Sequence, residues 1–292
     1  MRRTMLFLPG NNPNMLQNGD ILGADCVIFD LEDAVSPAEK DSARILVRNM
    51  LKSLPFQSCQ VIVRINSLDT PFWLEDIGEM VALAQPLLMP TKVSDKTYIQ
   101  TISEAIAHEE EKNGLPVGST KLMPLLETAL GIENAYEIAS ADKRVVALFL
   151  GAEDLTADLH CRRTGEGEEI AYARARIVCA ARAAGLEVYD TPFTSIDDME
   201  GLKADALRAK AMGFDGKAVI SPRHVDCVNK IFSPTMQEVQ YAKRVFEAID
   251  LAKQQGKGAV SLGGKMIDAP IVKRAQQVLE AAKMMGVGEL NE

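Results

Sequence analysis

Eight short apolar runs, each closed by turn or charged residues, constrain the fold of this 292-residue chain more than any other feature. They are Thr4–Leu8, Cys26–Asp30, Val61–Ile65, Leu87–Met89, Lys121–Leu126, Val145–Leu150, Glu187–Tyr189 and Ala218–Ile220. Between them, Pro37–Leu54, Ser94–Lys112, Glu168–Ala184 and Ile196–Met212 read as helices. Ser36 is placed to cap the first, which shows a charged face of Glu39, Lys40, Asp41 and Arg44. Gly185 and Gly213 stop the third and fourth. Strands alternating with helices of this length build parallel βα units. Eight of them suggest an α/β fold, a (β/α)8 TIM barrel, which takes about 250 residues. A doubly wound open sheet is the alternative, but no GxGxxG follows the first run. The barrel is expected over residues 1–232. Residues 233–292 read as a C-terminal helical extension: a helix over Pro234–Gln255, a mobile glycine-rich loop over Gly256–Gly264 and a final helix over Ile271–Met285.

Charge and cysteine usage exclude several classes of function. Net charge is 32 − 41 = −9, a poor match to nucleic acid, whose binding requires phosphate neutralisation. An anionic substrate must therefore be held by a few local cations or a metal. The 5 cysteines are odd in number, show no CxxC spacing and are scattered, which fits a reducing compartment rather than a disulfide framework or a zinc cluster. No apolar run is long enough to cross a bilayer, and the apolar stretch after Met1-Arg2-Arg3 is too short for a signal peptide. The expectation is a cytoplasmic protein with no nucleic-acid or membrane partner.

In barrel enzymes the chemistry sits at the C-terminal ends of the strands. This chain places Asp30, Glu32, Asp33, Arg64, Lys92, Glu127, Glu153, Asp154 and Asp190 there. Carboxylates without histidine or cysteine favour a hard, oxygen-seeking cation, most simply Mg2+. Glu127 and Asp154 end consecutive strands and are the expected metal ligands. Arg64 should point into or over the barrel, with an ion pair to Asp30 or Glu32 as its structural alternative. Asp30, Glu32, Asp33 and Lys92 are expected as supporting charges around it. Backbone N–H groups at Gly151, Ala152 and Glu153, near a helix start, could take a substrate carboxylate. His160 and His224 read as loop or packing residues, and Glu109-Glu110-Glu111 as a solvated helix face. Thr164–Glu168 reads as a helix cap rather than a lid.

The segments Thr4–Gly10, Phe29–Val35, Val63–Asn66, Leu150–Asp154, Gly216-Lys217, Ile220–Pro222 and Gly264–Pro270 resemble, in order and across nearly the whole chain, the citrate lyase β-subunit family of the HpcH/HpaI aldolase superfamily. The resemblance implies a (β/α)8 barrel and a Mg2+-dependent carbon–carbon lyase. Its substrate would be a citryl thioester, cleaved to oxaloacetate and an acetyl thioester, with an α subunit and an acyl carrier (γ) subunit as partners. Arg64 would then stabilise the enolate oxygen. Pro222, in the last barrel motif, joins the substrate-binding residues. Asp268 resembles a tail aspartate that protonates the enolate carbon in a neighbouring subunit's site, which implies a homo-oligomer with a shared active site. Citramalyl- or malyl-CoA lyase action on free CoA thioesters is the alternative. The absence of Lys and Arg between Thr4 and Glu39 favours the carrier-bound thioester. Intact Arg64, Glu127 and Asp154 argue against an inactive scaffold, and the missing GxxxxGK[ST] argues against a phosphotransfer protein.

Overall fold

The computed structural model describes residues 2–254 and 261–287. The chain folds into two compact units, one over residues 2–229 and one from Lys230 onward.

The first unit is built on nine parallel strand segments: β1 (Thr4–Pro9), β2 (Cys26–Asp30), β3 (Gln60–Ile65), β4 (Leu87–Pro90), β5 (Lys121–Leu122), β6 (Leu125–Leu126), β7 (Ala147–Leu150), β8 (Glu187–Asp190) and β9 (Gly216–Val219). Their order is β5-β4-β3-β2-β1-β9-β8-β7-β6. β5 and β6 are two halves of the one apolar run Lys121–Leu126, parted at Met123-Pro124. β5 pairs with β4 and β6 with β7. Proline cannot donate to a ladder, yet the Pro124 carbonyl still accepts the Phe149 N–H at 3.0 Å. The run therefore joins both neighbours and the ring closes as a barrel.

Successive strand residues point to opposite faces. Met5, Ile28, Ile62, Met89, Leu125, Phe149, Tyr189 and Ala218 share one parity on their strands and fill the barrel interior. Asp30, Arg64 and Glu127 continue that same parity and so lie above the packed core, at the strands' C-terminal mouth.

The helices are α1 (Pro13–Gln17), α2 (Lys40–Ser53), α3 (Trp73–Val81), α4 (Lys96–Lys112), α5 (Ala129–Glu133), α6 (Ala135–Ala139), α7 (Ala152–Asp158), α8 (Ala171–Ala184), α9 (Met199–Met212) and α10 (Pro222–Phe232). The helix expected from Pro37 opens as a 3-10 turn over Pro37–Glu39. Ser36 makes no backbone cap there; its hydroxyl binds the Glu39 carboxylate at 3.0 Å. α4 and α9 start later than expected, because Asp95 and Asp198 accept the first free amides. Thr164 accepts the Gly167 N–H at 3.1 Å, and its own N–H and hydroxyl bind Glu169, a capped turn leading into α8.

Two charged helix faces are buried in part, while Glu39, Asp41 and Glu111 stay exposed. Lys40 donates to the carbonyls of Leu31 and Glu32, and Arg44 binds Asp76 at 2.8 Å and Glu75 at 2.7 Å. Glu110 is fully buried against Arg144 at 2.7 Å and takes the amides of Gly118 and Thr120.

The second unit carries α11 (Met236–Gln254), an antiparallel pair β10 (Ser261–Leu262) and β11 (Lys265–Met266), and α12 (Ala269–Met284). Ala242, Val245 and Ala275 form its apolar seam, joined by Phe246 and Ile249. Residues 256–260 of the expected loop lie outside the described residues. Its end, Ser261–Gly264, is half of the β10–β11 hairpin. Among the described residues no helix is long and apolar enough to cross a membrane.

Candidate active site

A cavity of about 440 Å3 opens at the C-terminal mouth of the barrel. Its walls carry Asp30, Asp33, Arg64, Glu127, Gly151, Ala152, Glu153 and Asp154, and its floor is apolar, with Phe7, Leu125 and Phe149. The sheet register makes Asp30 and Arg64 direct partners on adjacent strands. Arg64 donates through Nε to Asp30 Oδ1 at 2.6 Å and through Nη2 to Asp30 Oδ2. Its Nη1 lies 3.2 Å from Glu32 and 3.4 Å from Asp33. The guanidinium carbon also stands 5.1 Å from the centre of the Phe7 ring, within cation–π range. Burial opposes the charge of Arg64, but Asp30, Glu32 and Asp33 outweigh it and raise its pKa further. Both sequence alternatives for Arg64 therefore coexist: it is ion-paired and it faces the cavity. Asp30 is itself fixed by the N–H groups of Glu32 at 2.8 Å and Ala34 at 3.1 Å.

Glu127 follows β6 and is 3% exposed. Its Oε1 accepts the Lys92 N–H at 2.9 Å. Lys92 presents that amide from a left-handed backbone, φ 54°, a conformation that non-glycine residues avoid. The Lys92 ammonium turns back to Glu32 at 2.9 Å and lies 3.9 Å from both Asp33 and Asp154. Burial pushes the Glu127 carboxyl up to about 8; Asp154 and Glu32 push the same way, while Arg64 and the Lys92 amide oppose them. Burial also raises Glu32, with Arg64 and Lys92 opposing.

Glu127 is raised first by burial and then by Asp154 and Glu32, and a cation bound there would offset all three. Mg2+ is commonly held by one or two carboxylates, with water and substrate oxygens completing an octahedron. Glu127 and Asp154 fit that donor set. Among the described residues no cluster of three or more His, Cys, Asp or Glu is set to hold a metal, so the other positions would fall to water and substrate.

Several sequence expectations resolve differently. The Gly151 N–H is taken by the Leu126 carbonyl at 3.0 Å and the Ala152 N–H by Thr191 Oγ1 at 3.1 Å. These two line the cavity but have no amide left for a substrate carboxylate. Ile220, not Pro222, lines the wall, and Pro222 begins α10. Asp190 has the opposite parity to Tyr189 and turns away from the cavity, to Arg174 at 2.8 Å and Lys217 at 2.6 Å. Asp268 lies in the second unit as the N-cap of α12, where it accepts the Ile271 N–H at 3.1 Å. His224, by contrast, is packed as expected, with its Nε2 3.0 Å from the Ile196 carbonyl. Thr191 was missed: a lone threonine past a strand carries no sequence signal. The parity of Asp190 could have been read from its strand.

Comparison with known proteins agrees with this geometry. The model of the HpcH/HpaI aldolase/citrate lyase family matches residues 3–222. The citrate lyase subunit beta of Leuconostoc mesenteroides subsp. cremoris is 45% identical, over 97% of this chain and 93% of its own length. An L-malyl-CoA/beta-methylmalyl-CoA lyase of Cereibacter sphaeroides is 32% identical, over 97% of this chain and 95% of its own. A crystal structure of CitE from Mycobacterium tuberculosis, in complex with magnesium, acetoacetate and coenzyme A, superposes with a TM-score of 0.79 at 30% identity, covering 97% of this chain and 98% of that one. With the barrel, its acidic mouth and these likenesses together, the chain belongs to the HpcH/HpaI aldolase/citrate lyase family.

Proposed function

We propose that this protein is a Mg2+-dependent carbon–carbon lyase that cleaves a citryl thioester on an acyl carrier to oxaloacetate and an acetyl thioester. The observation that carries the reading is one cavity walled by an oxygen-only pair, Glu127 and Asp154, and by the Arg64–Asp30 ion pair. Glu127 and Asp154 would hold the metal, which when bound polarises a substrate hydroxyl and its neighbouring carboxylate. Arg64, locked in place by Asp30, offers a fixed cation to the oxygen that gains charge as the carbon–carbon bond breaks. Phe7, Leu125 and Phe149 exclude water beneath that oxygen. The Lys92 ammonium balances Glu32 and Asp33 at the rim. Asp268 is proposed to protonate the enolate carbon across a subunit boundary. The partners in this reading are a citrate lyase alpha subunit and an acyl carrier (gamma) subunit. The odd number and scattered positions of the cysteines, with no CxxC spacing, support placing the protein in the cytoplasm.

Action on a free citramalyl- or malyl-CoA thioester is the second reading, favoured by the malyl-CoA lyase relative and by the coenzyme A in the CitE complex. The greater identity to a citrate lyase beta subunit and the cation-free segment Thr4–Glu39 favour the first. Assaying citryl-, citramalyl- and malyl-thioesters on CoA and on the carrier decides between them. A citryl-carrier rate at least tenfold above each CoA thioester is expected. A malyl-CoA or citramalyl-CoA rate above it would overturn the first reading.

A further inference from the structure

Outside the cavity, four charged side chains from four elements meet in full burial: Arg174 of α8, Asp190 of β8, Asp205 of α9 and Lys217 of β9. Arg174 holds Asp190 through Nε at 2.9 Å and Nη2 at 2.8 Å, and Asp205 through Nη2 at 2.8 Å. The Lys217 ammonium reaches Asp190 Oδ2, Asp205 Oδ2 and the Thr191 carbonyl, each at 2.6 Å. Two of these contacts are hydrogen bonds, to Asp190 Oδ2 and the Thr191 carbonyl; the approach to Asp205 Oδ2 is an ion-pair contact. The group sums to zero charge. Burying such a set costs several kcal/mol per ion before pairing, and apolar residues of similar volume often serve stability as well or better. Stability alone does not account for it.

The Thr191 carbonyl does. Thr191 is fully buried, just past β8, and lines the cavity. Its hydroxyl oxygen accepts the N–H of Ala152, the first residue of α7. Asp154 stands two residues further on and faces the cavity. A continuous path of bonds thus runs from Lys217 Nζ to the Thr191 carbonyl, from the Thr191 hydroxyl to the Ala152 amide, and along two residues of the first turn of α7 to Asp154. We propose that Lys217 is a positioning residue: it fixes Thr191, and through it the start of α7 and the placement of Asp154. The link to Asp154 rests on reading that residue as a metal ligand; the link to Ala152 does not.

The test uses the full chain. Lys217→Met alone strands two buried carboxylates, so it is paired with Asp205→Asn, which keeps the cluster neutral. Thr191→Val cuts only the last bond, and Thr191→Ser restores it. Amide hydrogen exchange at Ala152 and Mg2+ titration by calorimetry are read together, with Asp154→Asn as a control. The double variant and Thr191→Val should each speed Ala152 exchange and weaken Mg2+ binding about tenfold. Combined, they should lose no more than either alone, as expected of groups on one path. Thr191→Ser should bind Mg2+ like the wild type. Unchanged Ala152 exchange in a folded double variant overturns the proposal. So does faster exchange with unchanged Mg2+ affinity, provided Asp154→Asn abolishes binding. If Asp154→Asn binds Mg2+ normally, the metal reading has failed, and exchange at Ala152 alone decides the role of Lys217.

Discussion

Glu127 stands against Gly151: a Cβ on that glycine would meet Glu127 Oε2 at 2.7 Å and Glu127 Cβ at 2.8 Å. Real Cβ atoms do not approach so closely, so Gly151→Ala must move the carboxylate. Overpacking of this kind costs about 1–3 kcal/mol. The expected result is a folded protein with Mg2+ affinity and kcat/KM each down at least tenfold, checked by calorimetry and steady-state assay. An alanine variant with wild-type kinetics would show that the contact does not constrain Glu127.

Glu127→Ala and Asp154→Ala should each abolish lyase activity and Mg2+ binding while the barrel stays folded. Circular dichroism with metal titration separates the two effects. Activity of Glu127→Ala in the presence of chelator would remove it from the metal site.

Arg64→Lys should be nearly as damaging as Arg64→Ala. The guanidinium meets Asp30 through two nitrogens while Nη1 lies by Glu32 and Asp33. An ammonium is a point charge and cannot span that set. A loss of about 10²-fold or more in kcat is expected, by analogy with removing an oxyanion donor. A lysine variant within about threefold of wild type would show that charge alone suffices.

The acid limit of stability should involve Glu110. Arg144 and the amides of Thr120 and Gly118 overcome its burial and hold it down at about 2, against an ordinary 4.5. A depressed carboxyl favours the fold above its unfolded pKa, and that contribution is lost as pH falls from about 4.5 to about 2. It amounts to about 3 kcal/mol at neutral pH. Glu110→Gln should lower denaturant stability at pH 7, and the gap to wild type should narrow below pH 4. A gap independent of pH would mean that the Glu110 charge is not what stabilises.

If Asp268 serves a neighbour's site, Arg64→Ala and Asp268→Ala chains, dissociated and mixed, should regain part of the activity that each lacks. If it acts within its own chain, or only caps α12, the mixture stays at the level of the separate variants.

The strands were legible because burial on both faces writes an uninterrupted apolar run, and the runs at Cys26 and Val61 met their strands within a residue. The barrel's inward parity then carries Asp30, Arg64 and Glu127 to one mouth. What the sequence hid was set by distant partners. Glu110 reads as a solvated acid until Arg144, 34 residues away, closes over it. Lys40 and Arg44 look like an exposed face until the carbonyls of Leu31 and Glu32 and the carboxylate of Asp76 receive them. The short helix Trp73–Val81 carries too few turns for its periodicity to stand out. The amides of Gly151 and Ala152 looked free because their acceptors, Leu126 and Thr191, come from other strands.

Lys92 serves two carboxylates at once, Glu127 through its amide and Glu32 through its ammonium, and does so from a left-handed backbone. That backbone costs an L-residue about 1–2 kcal/mol, and glycine would be spared it. Glycine would keep the amide but take the ammonium from the buried Glu32 carboxylate and free the unfolded chain. Durability and turnover therefore pull the same way at this position, and both hold the strained lysine.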